Sequence, residues 1–183
     1  MSDVTVVIAS PRRDGNCSAI AGRMAEALEA AGRSVDLYRL NEVDAKGCQA
    51  CQGCKRAGRC VRKDGLTPVL ESIAASPALI FALPNYMGMA CSQYRMMEDR
   101  FYGFLGQKDG KPCLNIPAGK RLAVVVSSGS GRSQEIFDEI RLIMGRALAC
   151  EIVGEINYGS SASGPAAQNE AVLAEAAELA LKL

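Results

Sequence analysis

Three uninterrupted runs of apolar, mostly β-branched residues constrain the fold more than any other feature of this sequence. They lie at residues 4–9 (VTVVIA), 78–83 (ALIFAL) and 122–126 (LAVVV). A strand that is apolar throughout, rather than at every second position, is typically buried on both faces, as in a parallel sheet covered by helices. The sequence therefore predicts a parallel sheet with a layer of helices on each side.

Helical patterns separate these runs, so that strand and helix alternate five times along the chain. Two further strands are predicted at residues 34–40 and 150–156. Helices are predicted at residues 19–31, 66–75, 92–104, 133–149 and 169–183. This alternation predicts an α/β fold with right-handed crossovers, formed by residues 1–183 as a single domain.

The composition excludes several classes of function. A net charge of +1 argues against nucleic acid as a partner, and no apolar run is long enough to span a membrane. The first residues do not resemble a signal peptide, so we expect a cytoplasmic protein. The absence of histidine excludes Ser-His-Asp and Cys-His catalysis and any histidine-ligated metal.

Four cysteines crowd the loop predicted at residues 41–65, with the spacing C-x2-C-x2-C-x5-C. They are Cys48, Cys51, Cys54 and Cys60. Closely spaced thiolates suit a 4Fe–4S cluster, although zinc and a metal-free loop remain open and a disulfide framework is disfavoured in the cytosol. Six basic residues lie in or beside the loop: Lys46, Lys55, Arg56, Arg59, Arg62 and Lys63. They either form a solvated surface, or their positive charge offsets an anionic thiolate cluster or attracts a phosphorylated nucleotide.

The turn after the first strand combines groups that suit an anion. Ser10, Ser18, Asn16, Arg12 and Arg13 supply hydroxyl, amide and guanidinium groups beside Gly15. A helix N-terminus follows directly, and its free N–H groups and dipole favour negative charge. The turn has neither the G-x-G-x-x-G nor the Walker A pattern. It is either a phosphate-binding loop or an ordinary polar turn.

Ser10-Pro11-Arg12, Gly15-Asn16 and the cysteine-rich loop together resemble the flavodoxin-like, NADPH-dependent FMN reductases, over about residues 4–154. The cysteine spacing is similar to that of one subgroup, the iron–sulfur flavoproteins. The resemblance implies a three-layer sandwich with a five-stranded parallel sheet in the order 2-1-3-4-5. It also implies that the FMN phosphate is wrapped by Ser10, Arg12, Asn16, Cys17 and Ser18.

A second stretch, residues 84–100, carries the resemblance further through Pro84, Tyr86, Gly88 and the pair Asp99-Arg100. It implies that the isoalloxazine ring of FMN is lined by Pro84, Asn85, Tyr86, Met87 and Gly88. Without the family, the methionines here would indicate core filling or an interface. In the SSGSG segment, Ser128 and Gly129 either contact the flavin or form a plain tight turn.

The resulting expectation is an FMN-dependent oxidoreductase in which the flavin itself, and no catalytic side chain, carries the chemistry. Electrons would pass from NAD(P)H to a small-molecule or protein acceptor, with or without a 4Fe–4S cluster. The alternatives are an electron carrier between ferredoxin and partner proteins, and a flavodoxin-like protein without flavin. The resemblance also implies a homodimer or homotetramer. Five residues suit either its interface or the core: Tyr94, Met97, Phe101, Tyr102 and Phe104.

Overall fold

The computed structural model describes residues 2–183 and is built around a parallel β-sheet. Its strands are β1 (Val4–Ile8), β2 (Val35–Arg39), β3 (Ala78–Tyr86), β4 (Met89–Ala90), β5 (Leu105–Lys108), β6 (Lys111–Leu114), β7 (Arg121–Ser128) and β8 (Glu151–Gly159). Five of them run parallel in the order β2-β1-β3-β7-β8, and β4 folds back antiparallel on the end of β3. Counting only the parallel strands, this is the predicted order 2-1-3-4-5.

Helices connect the strands over both faces of the sheet. They are α1 (Asn16–Ala30), α2 (Cys54–Ala57), α3 (Leu66–Ala75), α4 (Ser92–Glu98), α5 (Gln134–Ile140), α6 (Ser160–Ser163) and α7 (Glu170–Ala180). In α1 the buried Ile20, Met24 and Leu28 recur every fourth residue, so one stripe of the helix faces the sheet. The side chain of Asn169 begins α7 by accepting a hydrogen bond from the N–H of Val172 at 3.2 Å.

Two hydrophobic cores flank the sheet because successive residues of its strands point to opposite faces. On one face, Val7, Leu79 and Phe81 are buried with α3, α4 and α5. On the other face, Val6 and Ile80 are buried with α1 and α7. Each such side chain contributes roughly 1.5–3 kcal/mol on burial. The predicted three-layer, flavodoxin-like α/β fold is confirmed.

Some predicted elements differ from those observed. The helix expected at residues 92–104 becomes a 3-10 helix from Asp99 onward, and the helix expected at residues 133–149 continues from Arg141 as a π-helix. The connection after Phe104 holds a β-hairpin, β5–β6. Its two-residue turn, Asp109-Gly110, has both φ angles positive, as favoured by Asp-Gly.

The five residues that the sequence assigned to either the core or an interface lie mostly in the core. Tyr94, Met97, Phe101 and Phe104 are buried, with the rings of Phe101 and Phe104 stacked at 5.3 Å. Tyr102 is partly exposed instead, and the Lys55 ammonium lies 3.4 Å from its ring centroid. Cys150 is buried, as its apolar surroundings predict. Within residues 2–183, every helix is too short or too polar to cross a membrane.

Candidate functional site

The loops at the carboxyl ends of four parallel strands enclose a cavity of about 220 Å³, which we call the sheet-edge cavity. It is lined by Ser10, Arg12, Asn16, Cys17, Pro84, Asn85, Tyr86, Ser127, Ser128, Gly129 and Ser160. Ligands of open α/β sheets bind at this edge. The structure thus brings most of the predicted cofactor residues together, whereas Ser18, Met87 and Gly88 lie outside this lining.

The turn between β1 and α1 presents groups that could hold an anion. Gly15 precedes the helix in an extended conformation, and a Cβ there would lie 3.2 Å from the Cβ of Arg12, so a larger residue would crowd the turn. Within the described part of the chain, no side chain caps the first turn of α1. Its N–H groups are therefore available to a ligand, beside the exposed Arg12. Arg13 turns elsewhere and pairs with Glu42 at 2.7 Å.

Ser18 and Cys17 support this turn from below. The Ser18 hydroxyl donates to the Arg12 carbonyl oxygen at 3.2 Å and accepts from Arg39 Nη1 at 3.0 Å, so it holds the loop instead of facing the cavity. Burial, with a smaller contribution from Cys91, raises the pKa of the Cys17 thiol to about 12. Cys17 is therefore neutral at pH 7 and adds no negative charge beneath an anion.

A two-residue turn, Met87-Gly88, joins β3 to β4, and both of its φ angles are positive. Met87 is 100% exposed. Asn85 fixes this turn, because its Oδ1 accepts from the Gly88 N–H at 2.8 Å and its Nδ2 donates to the Arg132 carbonyl oxygen at 2.6 Å. Met87, Gly88 and Arg132 line a second, more open cavity of about 480 Å³, which we call the outer cavity. It shares Asn85, Ser128 and Gly129 with the sheet-edge cavity.

Two lining residues were not named individually among the predicted site residues: Ser127, the first residue of the SSGSG segment, and Ser160. Ser127 lies near the end of β7 and its hydroxyl accepts from Asn16 Nδ2 at 3.2 Å. Ser160 directly follows β8, and its hydroxyl donates to the Ser128 carbonyl oxygen at 3.2 Å. The signal that could have found them was the position of both residues at carboxyl ends of parallel strands, where the other site loops also lie.

The four cysteines of the loop line one small cavity of about 20 Å³. All four are free thiols, with Cys48 and Cys51 exposed and Cys54 and Cys60 partly buried. However, residues 2–183 contain no set of three cysteine or acidic side chains positioned to share a metal ion. Left-handed residues at positions 50 and 52 turn the backbone between the first three cysteines. As arranged, the thiols do not fit a cluster, and their role as metal ligands remains a prediction.

A buried ion pair anchors both ends of the cysteine loop. The Arg100 side chain is 0% exposed, and its Nη1 lies 2.6 and 2.8 Å from the two carboxylate oxygens of Asp64. The same guanidinium donates to the carbonyl oxygens of Lys46 and Arg62, both at 3.4 Å. Burial alone would raise the pKa of Asp64, but the hydrogen bonds and charge of Arg100 outweigh it and the net pKa is lowered.

The strand order and a polar cavity at the carboxyl edge define a flavodoxin-like α/β protein. The sequence matches the family described as NADPH-dependent FMN reductase over residues 2–173, so the chain belongs to this family of flavin oxidoreductases. The predicted family is thereby confirmed.

Curated relatives agree with this assignment. The chain is 30% identical over 97 residues to an iron–sulfur flavoprotein from Methanosarcina thermophila, an alignment covering 53% of this chain and 51% of that protein. The chain spans about half the length of the curated relatives it matches.

Two solved structures share the fold. An NAD(P)H:quinone oxidoreductase from Methanothermobacter marburgensis superposes with a TM-score of 0.67 at 16% identity, covering 98% of this chain and 97% of that one. An FMN-dependent NADH-azoreductase from Bacillus anthracis str. Ames Ancestor, solved in complex with FMN, gives a TM-score of 0.69 at 12% identity, covering 100% and 99%. At such identities these likenesses concern the fold alone.

Proposed function

We propose that residues 1–183 form one FMN-binding domain that oxidises NAD(P)H and passes the electrons to a small-molecule or protein acceptor. The observation that carries this proposal is the sheet-edge cavity, in which Arg12 and the uncapped start of α1 lie in one wall and Tyr86 in another. When bound, FMN supplies the hydride and electron transfer. Membership of the FMN reductase family supports the same cofactor.

The chain's own residues would bind and orient the cofactor. The Arg12 guanidinium and the first N–H groups of α1 would hold its dianionic phosphate, where charge-assisted hydrogen bonds outweigh the roughly 0.3–1 kcal/mol of the helix dipole. Tyr86, half exposed, offers a flat surface to the ring. The adjoining outer cavity, with Arg132 in its wall, is where we place the nicotinamide donor and then the acceptor.

Titration with FMN tests this assignment. We expect wild-type protein to bind FMN with a micromolar or tighter dissociation constant and to oxidise NADPH or NADH. Arg12→Ala should weaken FMN binding by about tenfold or more, because it removes one charge-assisted contact, and should affect riboflavin far less. Arg13→Ala is the matched control, since Arg13 pairs with Glu42 instead. Absence of FMN binding by the wild-type protein would refute the proposal.

A second candidate, an electron carrier exchanging electrons between ferredoxin and partner proteins, rests on the cysteine loop. Four free thiols line one cavity, and the relative from Methanosarcina thermophila is itself an iron–sulfur flavoprotein. The thiols would have to rearrange to hold a cluster. Protein isolated anaerobically should then contain about four irons per chain with matching sulfide. Zinc alone in metal analysis, or no metal, would contradict the cluster.

Stopped-flow reduction separates the enzyme from the carrier. Rapid flavin bleaching by a reduced nicotinamide supports the oxidoreductase, and bleaching only by reduced ferredoxin supports the carrier.

We further propose a homodimer or homotetramer, because Tyr86, Met87 and Met89 expose apolar surface beside the site. Light scattering that shows only monomer would contradict this assembly.

A further inference from the structure

Both polar atoms of the Asn16 side chain are already bonded within the protein. Its Nδ2 donates to the Ser127 hydroxyl at 3.2 Å, and its Oδ1 accepts from the Ala166 N–H at 2.9 Å. These partners lie 111 and 150 positions away along the chain. The amide thus joins the turn after β1 to the end of β7 and to a C-terminal turn.

The C-terminal partner belongs to residues 159–168, which we call the closing segment. Tyr158 secures it with its single O–H, which is shared between the carbonyl oxygens of Ser163 at 3.2 Å and Gly164 at 2.9 Å. The Ser161 N–H donates to the Gly129 carbonyl oxygen at 2.9 Å. The closing segment therefore attaches to β8 and to the loop after β7, and both of these attachments are independent of Asn16.

Residues of the closing segment also face the turn between β1 and α1 (residues 9–15), which we call the phosphate turn. Ser160, Gly164 and Pro165 form one wall of a cavity of about 370 Å³, opposite Arg12 and Asn16. Ser160 lines the sheet-edge cavity as well. Ala166 is fully buried, so its N–H would lose its hydrogen-bond partner if the Asn16 oxygen were removed.

We propose that the Asn16 side chain is a positioning group that holds Ser127 and the closing segment against the phosphate turn, and that its effect on flavin binding comes from these contacts rather than from a side-chain hydrogen bond to the phosphate. This inference rests on the proposed binding of FMN in the sheet-edge cavity. Ser127 and Ser160 line that cavity, so their displacement alters its shape for the whole cofactor. Loss of the Asn16 amide therefore weakens binding of FMN and of riboflavin, which lacks the phosphate, by the same factor.

The experiment compares Asn16→Ala, Asn16→Asp and wild-type protein by flavin titration and by hydrogen exchange at the Ala166 amide. We expect Asn16→Ala to weaken FMN and riboflavin binding alike, each by about tenfold, and to accelerate exchange at Ala166 by about tenfold or more. Asn16→Asp retains an oxygen for the Ala166 N–H, so exchange there should stay close to wild type. The matched control is Asn169→Ala, which removes one side-chain hydrogen bond in the same region and should leave flavin affinity unchanged.

The outcomes are distinct. A loss confined to FMN, with riboflavin binding intact, would overturn the proposal because it identifies Asn16 as a phosphate ligand. Unchanged exchange at Ala166 in Asn16→Ala would overturn it as well, as would unchanged affinity for both flavins. If the wild-type protein binds neither flavin, the proposed function fails, while the exchange measurement still decides whether Asn16 holds the closing segment.

Discussion

Replacing Asp64 by asparagine isolates the charge that secures the cysteine loop. The Asp64→Asn side chain keeps nearly the same size and an oxygen for the Leu66 N–H, which donates to Asp64 Oδ1 at 3.1 Å in the wild-type protein. What the variant loses is the negative charge 2.6–2.8 Å from Arg100 Nη1. The Arg100 side chain is 0% exposed, so its charge would be left without its carboxylate partner.

Removing one partner of a buried ion pair typically costs about 3–5 kcal/mol. Asp64 is itself 15% exposed, which places the expected loss near the lower end, at about 3 kcal/mol. In a chain of this size that corresponds to a fall in Tm of about 6–12 °C. Urea denaturation of the metal-free protein, followed by circular dichroism, measures the free energy directly.

The control is the exposed pair Arg59–Glu71, separated by 3.4 Å, for which Glu71→Gln should change stability by less than about 0.5 kcal/mol. The stabilisation by Asp64 should be fully present above its ordinary pKa of 3.8, because its folded-state pKa is lowered. It should then disappear as the pH falls through the folded-state pKa. A loss below about 1 kcal/mol at pH 7 would refute the assignment of Arg100 as a buried, Asp64-dependent anchor.

Three further predictions concern other parts of the molecule. In metal-free protein, iodoacetamide should alkylate the exposed Cys48 well before the buried Cys17, whose pKa is about 12; peptide mass spectrometry that finds the reverse order contradicts the structure. Gly103→Ala would place a Cβ 2.8 Å from the backbone nitrogen of Cys60 and should cost about 1–3 kcal/mol in urea denaturation, whereas an unchanged midpoint would show that the loop yields freely. Burial raises the pKa of Glu98 despite its ion pair with Arg95, so the ionised carboxylate destabilises the wild-type protein at pH 7. The free energy of unfolding of Glu98→Gln minus that of wild type should therefore be larger at pH 7 than at pH 4, and a difference independent of pH would contradict this.

The sheet could be predicted from the sequence because its central strands are buried on both faces. The runs at residues 4–9, 78–83 and 122–126 became β1, β3 and β7, and the turns that follow them are in the sheet-edge cavity. The hairpin β5–β6 was missed although Asp109-Gly110 is a strong signal for a two-residue turn. It was obscured because its strands are short and lack clear alternation.

Other parts of the site could not be read from local patterns. The polar residues of the turn after β1 suggested that Asn16 binds phosphate. In the structure its side chain bonds to Ser127 and Ala166, and these partners depend on how distant segments meet. The spacing of the four cysteines along the sequence likewise does not determine where their sulfur atoms lie. Positive φ angles at positions 50 and 52 turn the backbone between Cys48, Cys51 and Cys54. Ser18 is a similar case, because its hydroxyl donates to the Arg12 carbonyl oxygen and accepts from Arg39.

The lining of the sheet-edge cavity extends from Ser10 to Ser160, with contributions after β1, β3, β7 and β8. During synthesis these segments leave the ribosome in that order, so the wall that contains Ser160 is added last. A nascent protein therefore has no finished pocket for a prosthetic group while its earlier strands are already exposed. We therefore expect a cofactor of this cavity to bind only after the sheet has assembled.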